Sequence, residues 1–337
     1  MNKNSSNPEP YSHIGVLGAG SWGTALALVA AEAGRNVTLW AREPEVCDSI
    51  RSKRENTPFL SGARLPEAIA PTQDIATLAG AEAILLVAPA QHLRAALAAL
   101  VPHLARHVPL VLCAKGIERG TGRFLTEVLG ECAPACEPAI LSGPSFARDV
   151  ARRLPTAVTV AARMEIAVRL QASLSHPTFR PYASDDLAGV ALGGAAKNVY
   201  AIGCGIVAGM GLGDSARAAL LARSFAELCR LGEKIGARSE TLMGLSGLGD
   251  LVLTATSPNS RNYAFGFNLG QGAKREDLFA PGSPLAEGAQ TAPALTARAR
   301  AEAIDLPIAH AIADILSGTL TLEAAIPRLM ARPLKAE

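Results

Sequence analysis

Two regimes of apolar and polar residues follow one another along the chain. Up to about residue 185, short continuous apolar runs are separated by polar or glycine-bearing turns. Residues 14–17, 83–88, 109–113 and 139–141 are such runs, and with Asn36–Trp40 they predict buried strands. Continuous rather than alternating runs are what parallel strands show when both faces are covered. Residues 25–33 and 93–104 carry helical spacing between them, and Thr156–Ala161 and 179–182 predict strands that extend the sheet. Residues 51–71 are polar and proline-bearing and read as a connection with little core.

Beyond Leu187 the β-branched runs vanish and the chain turns Ala-, Leu- and Gly-rich. Residues 187–208 predict one long apolar helix that contains Gly189, Gly193, Gly194, Gly203 and Gly205. Each glycine costs a helix about 1 kcal/mol against alanine, so close packing against a backbone or a ligand is expected to offset it. A second helix is predicted over 216–235. A turn follows over 257–262, with Ser260 or Asn259 as N-cap of the next helix. Residues 293–329 read as helical with a break at Pro307. The pattern predicts an α/β domain with a doubly wound parallel sheet over 13–188, then an all-α domain over 189–337. Ahead of both, residues 1–12 read as a flexible polar tail without the apolar stretch of a signal peptide.

Composition changes this picture little. A chain of 337 residues fits two domains, and 49% hydrophobic with 18% charged residues is globular. A net charge of +2 gives no broad basic field, which argues against a nucleic-acid partner and against stable membrane association. The six cysteines, at 47, 113, 132, 136, 204 and 229, form no C-x-x-C pair. They read as reduced thiols of a cytoplasmic protein, with no metal site.

Candidate chemistry starts at Gly18-Ala-Gly20-Ser-Trp-Gly23, between the first strand and the first helix. This is the order of a dinucleotide-binding turn. Gly18 turns the chain, Gly20 admits the pyrophosphate to the backbone, and Gly23 lets helix and strand pack closely. An NAD-preferring turn carries an acid about 20 residues further on, for the ribose 2′-hydroxyl. Here Arg42 stands in that region, with Glu43 beside it. Arg42 reads as a ligand of a 2′-phosphate, hence of NADP(H), or as a solvated charge at a strand end. Lys115, Gly143 and Ser145 follow strand ends and so face the crevice where open parallel sheets bind ligands. His92 reads as lining a cofactor pocket or starting a helix.

In the helical half, Lys197 interrupts an apolar run. Burial disfavours a charged lysine, which makes it a general-base candidate; it also reads as the buried partner of Asp250, and the two readings are compatible. Arg261, between Ser260 and Asn262 at an expected helix start, offers a donor fork for a phosphate.

Six segments in order give these features a common source: 18–27, 114–116, 141–147, 192–205, 247–254 and 260–262. Through them the chain resembles the bacterial-type NAD(P)-dependent glycerol-3-phosphate dehydrogenases. The resemblance implies a Rossmann domain, a helical substrate domain and a homodimer using NADP(H) and/or NAD(H). It implies interconversion of sn-glycerol 3-phosphate and dihydroxyacetone phosphate, supplying phospholipid synthesis. Lys197 is the implied proton acceptor. Lys115, Gly143, Ser145, Asp250, Ser260, Arg261 and Asn262 fall on substrate-contacting positions, and Asn198 and Thr254 on positions that support lysine and substrate. Ser21, Trp22, Arg42, Lys115, Ala147, Arg261, Leu285 and Glu287 fall on cofactor-contacting positions. Ala196 departs from the leucine common in relatives, and Asp214-Ser215 from an Asn-containing pair. Competing readings are a two-domain dehydrogenase of another hydroxy acid or sugar acid and a cofactor-binding sensor without turnover. The Ser-Arg-Asn run argues against the first, and the two lysines against the second.

Overall fold

The computed structural model describes residues 8–280, 282–283 and 285–333. They divide into two compact units. One holds the residues up to Lys115 and Leu125–Ala191; the other holds Gly116–Phe124 and the residues from Leu192 on. The expected boundary at 188/189 assigned 116–124 to the sheet, whereas this short segment, closed by an Ile117–Phe124 bridge, groups with the helices.

The first unit contains ten strands: β1 His13–Leu17, β2 Asn36–Trp40, β3 Glu55–Asn56, β4 Leu60–Arg64, β5 Ile69–Thr72, β6 Ala83–Leu86, β7 Pro109–Leu112, β8 Glu137–Ser142, β9 Thr156–Ala161 and β10 Phe179–Ser184. Eight form one sheet in the order β10-β9-β8-β7-β6-β1-β2-β5. Every neighbouring pair is parallel except β8–β9, so the sheet is mixed rather than all-parallel. Successive residues feed two cores. Ile14, Val16, Leu85, Val111 and Leu141 face one; Leu17, Ile84, Leu86, Leu112 and Ile140 face the other. Burial on both faces is why these strands read as unbroken apolar runs. The covering helices are α1 Ser21–Glu32, α2 Pro44–Lys53, α3 Leu93–Leu100, α4 Leu125–Cys132, α5 Ala147–Ala151 and α6 Met164–Leu174.

Two expectations are corrected here. Residues 51–71 are not a bare connection. They form the antiparallel β3–β4 hairpin and lead into β5, with Leu60, Leu65 and Ile69 buried. Pro71 is tolerated because β5 is an edge strand, where one face of the ladder needs no donor. Residues 1–12 are not wholly a tail either. Residues 1–7 lie outside the described residues, but Tyr11 is buried, donates its N–H to Ser173 Oγ at 2.8 Å, and lies under the Arg169 guanidinium.

The second unit is built on α7 Leu187–Gly209, which begins in the first, and on α8 Asp214–Lys234, α9 Ser239–Met243, a π turn at Leu245–Gly249, α10 Asp250–Thr256, α11 Arg261–Gly270, α12 Arg275–Leu278, α13 Glu287–Ala301, α14 Pro307–Ser317 and α15 Leu322–Met330. Pro307 starts α14, at the break the sequence predicts. Close packing offsets the glycine cost in α7: a Cβ at Gly193 would strike the Ser246 carbonyl and one at Gly203 the Ile312 side chain, while the last glycines meet α11. An added Cβ at Gly205 or Gly209 would strike the Tyr263 or Phe267 carbonyl, and one at Gly266 or Gly270 would strike the Ile202 or Ile206 carbonyl. The two backbones therefore touch reciprocally. α7 is the one described helix long and apolar enough to cross a membrane, and it is buried in the core.

Candidate active site

In the sheet unit, the glycine turn leaves β1 with Gly18 at φ +116° and its N–H donated to the Trp40 carbonyl at 3.1 Å. A Cβ on Gly23 would overlap the Gly18 carbonyl, so α1 sits directly on the turn. Gly20 differs: a Cβ there would meet no atom within 4 Å. Packing does not require a glycine at 20, whereas a ligand approaching the backbone would. Gly20 is the N-cap of α1 and offers no capping side chain, so the first-turn N–H groups near Ser21 and Trp22 are left for another acceptor. The Trp22 indole Nε1 is buried without a hydrogen-bond partner among the described residues. Uncapped donors, an open Gly20 and an unpartnered indole suit a pyrophosphate-bearing cofactor. From behind, fully buried Asn56 donates to the Ala19 carbonyl at 2.8 Å and to Thr24 Oγ1 at 2.7 Å. Nothing in its polar sequence context marks Asn56 as buried.

Arg42 stands past the end of β2 with its side chain 76% exposed, paired to Glu43 Oε1 through Nη2 at 2.6 Å. Beyond β7 and β8, Lys115 Nζ donates to the Gly143 carbonyl at 3.3 Å, and Ser145 Oγ donates to the same oxygen at 3.0 Å. The structure thus brings together the three residues expected at one crevice. Gly143 has φ +156°, and a Cβ there would press on Val158 Cα at 2.8 Å. Ala147 begins α5. His92 is exposed, at the start of α3.

In the helical unit, Lys197 is 6% exposed and Asp250 1%. The Lys197 ammonium is paired with Asp250 Oδ1 and donates to Thr254 Oγ1 at 3.0 Å. Asp250 and Thr254 are one turn apart on α10 and so share a face. The Thr254 hydroxyl donates to the Asp250 carbonyl at 2.6 Å, leaving its lone pairs to the lysine. The preceding π turn delivers Asp250 at the first position of α10. Such turns concentrate at functional sites.

A second polar chain runs alongside. Gly288 N–H donates to Asn262 Oδ1 at 2.8 Å, and Asn262 Nδ2 donates to Asn198 Oδ1 at 3.0 Å. The backbone donor fixes the polarity of both amides. Ser260, rather than Asn259, caps α11 by accepting the Tyr263 N–H at 3.2 Å. This puts Arg261, exposed, at the first helical position. Glu287 opens α13, two residues after exposed Leu285.

Two buried acids, Asp186 and Glu227, escaped the sequence reading. Glu227, 1% exposed, accepts the Ile308 N–H at 2.7 Å, the Ala309 N–H at 3.1 Å and the Tyr200 hydroxyl at 3.2 Å. Burial pushes its carboxyl up to about 7, against the pull of the two backbone donors. Its one signal is the apolar stripe it shares with Leu228 and Leu231 on α8.

Comparison with known proteins agrees with these features. Residues 13–167 match the family described as NAD-dependent glycerol-3-phosphate dehydrogenase N-terminus, and residues 186–327 match its C-terminus. The chain is 58% identical over 328 residues to a glycerol-3-phosphate dehydrogenase [NAD(P)+] of Bradyrhizobium sp. strain BTAi1, covering 97% of this chain and 99% of that one. It is 53% identical to the Parvibaculum lavamentivorans enzyme of the same name, covering 97% and 98%. A crystal structure of glycerol-3-phosphate dehydrogenase from Coxiella burnetii superposes with a TM-score of 0.90 at 37% identity, covering 95% of this chain and 99% of that one. The glycine turn and the buried lysine cluster thus belong to one scaffold, and the chain is a member of the NAD(P)-dependent glycerol-3-phosphate dehydrogenase family.

Proposed function

We propose that the protein interconverts sn-glycerol 3-phosphate and dihydroxyacetone phosphate, with Lys197 moving the hydroxyl proton. The observation that carries this reading is the buried Lys197–Asp250–Thr254 cluster. When bound, the nicotinamide accepts or supplies the hydride. Oxidation starts from neutral Lys197: as the C2 hydroxyl becomes a carbonyl, its proton leaves for the free amine of Nζ, and the ammonium so formed is the state paired with Asp250. In reduction, the same ammonium polarises the carbonyl and returns the proton. Arg261, with Ser260 and Asn262 at the start of α11, holds the phosphate, and Lys115, Gly143 and Ser145 contribute further polar contacts. Asn198 and Thr254 keep the lysine and the substrate in place. Gly18, Gly20, Ser21, Trp22 and Gly23 would hold the cofactor pyrophosphate and Arg42 a 2′-phosphate, and the resemblance assigns further cofactor contacts to Ala147, Leu285 and Glu287.

We assign the activity to the cytoplasm, as a source of glycerol 3-phosphate for phospholipids, and to the homodimer implied by the resemblance, which light scattering at working concentration checks. The test of substrate is direct. With NADPH followed at 340 nm, dihydroxyacetone phosphate should turn over at least ~100-fold more efficiently than dihydroxyacetone, because an Arg fork is worth several charge-assisted hydrogen bonds. Equal efficiency would remove the phosphate site.

A further inference from the structure

Glu43 stands where a cofactor-selecting acid belongs, although the residue before it carries the opposite charge. It lies twenty residues beyond Gly23, the spacing at which an acid meets a ribose 2′-hydroxyl. The Gly18–Trp40 hydrogen bond places the end of β2 against the glycine turn, so Arg42 and Glu43 follow directly beside it. Glu43 is also the N-cap residue of α2, yet its side chain caps nothing. Instead, one carboxylate oxygen takes both Arg42 Nε, at 3.0 Å, and Arg42 Nη2, at 2.6 Å. Arg42 is mostly exposed, so this pair is weak and breaks readily for a stronger anion.

We propose that Glu43 sets the balance between the two cofactors by competing for Arg42. The inference rests on Arg42 being the 2′-phosphate ligand. With a 2′-hydroxyl, Glu43 accepts its hydrogen bond and Arg42 stays paired. With a 2′-phosphate, Arg42 swings from the carboxylate to the dianion, and Glu43 opposes that exchange. Selectivity is the difference between these two states, and a chain holding both residues accommodates both cofactors.

The test measures dissociation constants of NADPH and NADH, from nicotinamide fluorescence, for the parent, Glu43→Gln, Arg42→Ala and the double variant. Glu43→Gln should tighten NADPH by about three- to fivefold, the order of an exposed ion pair, and weaken NADH several-fold. Arg42→Ala should weaken NADPH about tenfold and barely move NADH. In the Arg42→Ala background, the NADPH gain from Glu43→Gln should disappear. If Arg42→Ala shifts the NADPH-to-NADH ratio but Glu43→Gln does not, the role of Glu43 alone is overturned. A gain that persists without Arg42 means direct repulsion of the phosphate and overturns competition. No shift from Arg42→Ala removes the 2′-phosphate ligand itself, and the proposal with it.

Discussion

The two units prepare for their ligands in opposite ways. Around the glycine turn the sheet unit offers mainly main chain, uncapped N–H groups and an open face at Gly20, with one side chain, the Trp22 indole, unpartnered among the described residues. At Lys197 the helical unit offers side chains that already satisfy one another: an ammonium, a carboxylate, a hydroxyl and two amides of fixed polarity. A backbone site tolerates most sequence changes that leave room for the ligand. A buried polar site fails when any one member is lost, because its partner is left desolvated. On the proposed function, the first would hold a large invariant group and the second would place one proton.

Lys197→Met should break the comparison hardest. Removal of the ammonium should slow single-turnover hydride transfer by about 10²–10⁴-fold. It also strands Asp250, at a cost of about 3–5 kcal/mol in stability. Lys197→Met with Asp250→Asn should therefore melt near the parent and still be slow. Near-normal transfer by either variant, measured below its melting point, would return the lysine to a structural role.

Glu227 sharpens the same point through pH. Its carboxyl is raised from an ordinary 4.5 to about 7 by burial. A raised acid binds its proton more tightly in the folded state. The stability it contributes is full below about pH 4.5 and is lost as pH rises through 7, on the order of 3 kcal/mol in all. Relative to Glu227→Gln, the parent should lose melting temperature between pH 5 and pH 8. Parallel profiles for the two would show that Glu227 does not titrate in that window.

The smallest expected effect lies in the backbone site. Gly20→Val adds a side chain where nothing stands within 4 Å, at a φ of −68° that any residue adopts. Melting should hardly change, while the dissociation constant of NADPH should rise about tenfold or more as the close approach is blocked. Unchanged binding would separate Gly20 from the cofactor.

What could be read beforehand follows the same division. The central strands were legible because burial on both faces makes them continuous apolar runs, and Lys197 because it is a lone charge on an apolar helix. The β3–β4 hairpin and β5 were not, since Pro66 and Pro71 mask the strands and buried Asn56 looks like a loop residue. Glu227 was hidden among Arg223, Arg230, Glu233 and Lys234 on α8, where only the packing phase of the helix tells which charge points inward. The choice of Ser260 over Asn259 as cap needed the actual start of α11. The amide chain through Asn198 and Asn262 has no local signature at all, because its members come from three distant segments.

The reciprocal glycine contacts between α7 and α11 also bear on timing. With no side chains between the two backbones, neither helix can roll or creep by fractions of an ångström past the other. The contact behaves as a toothed joint, and the next matching position lies a whole helical turn away. Lys197 and Asn198 ride on one rod, and Ser260, Arg261 and Asn262 sit at the tip of the other. On the proposed function, the residues that would handle the proton and those that would hold the phosphate are thus carried by two helices in direct backbone contact.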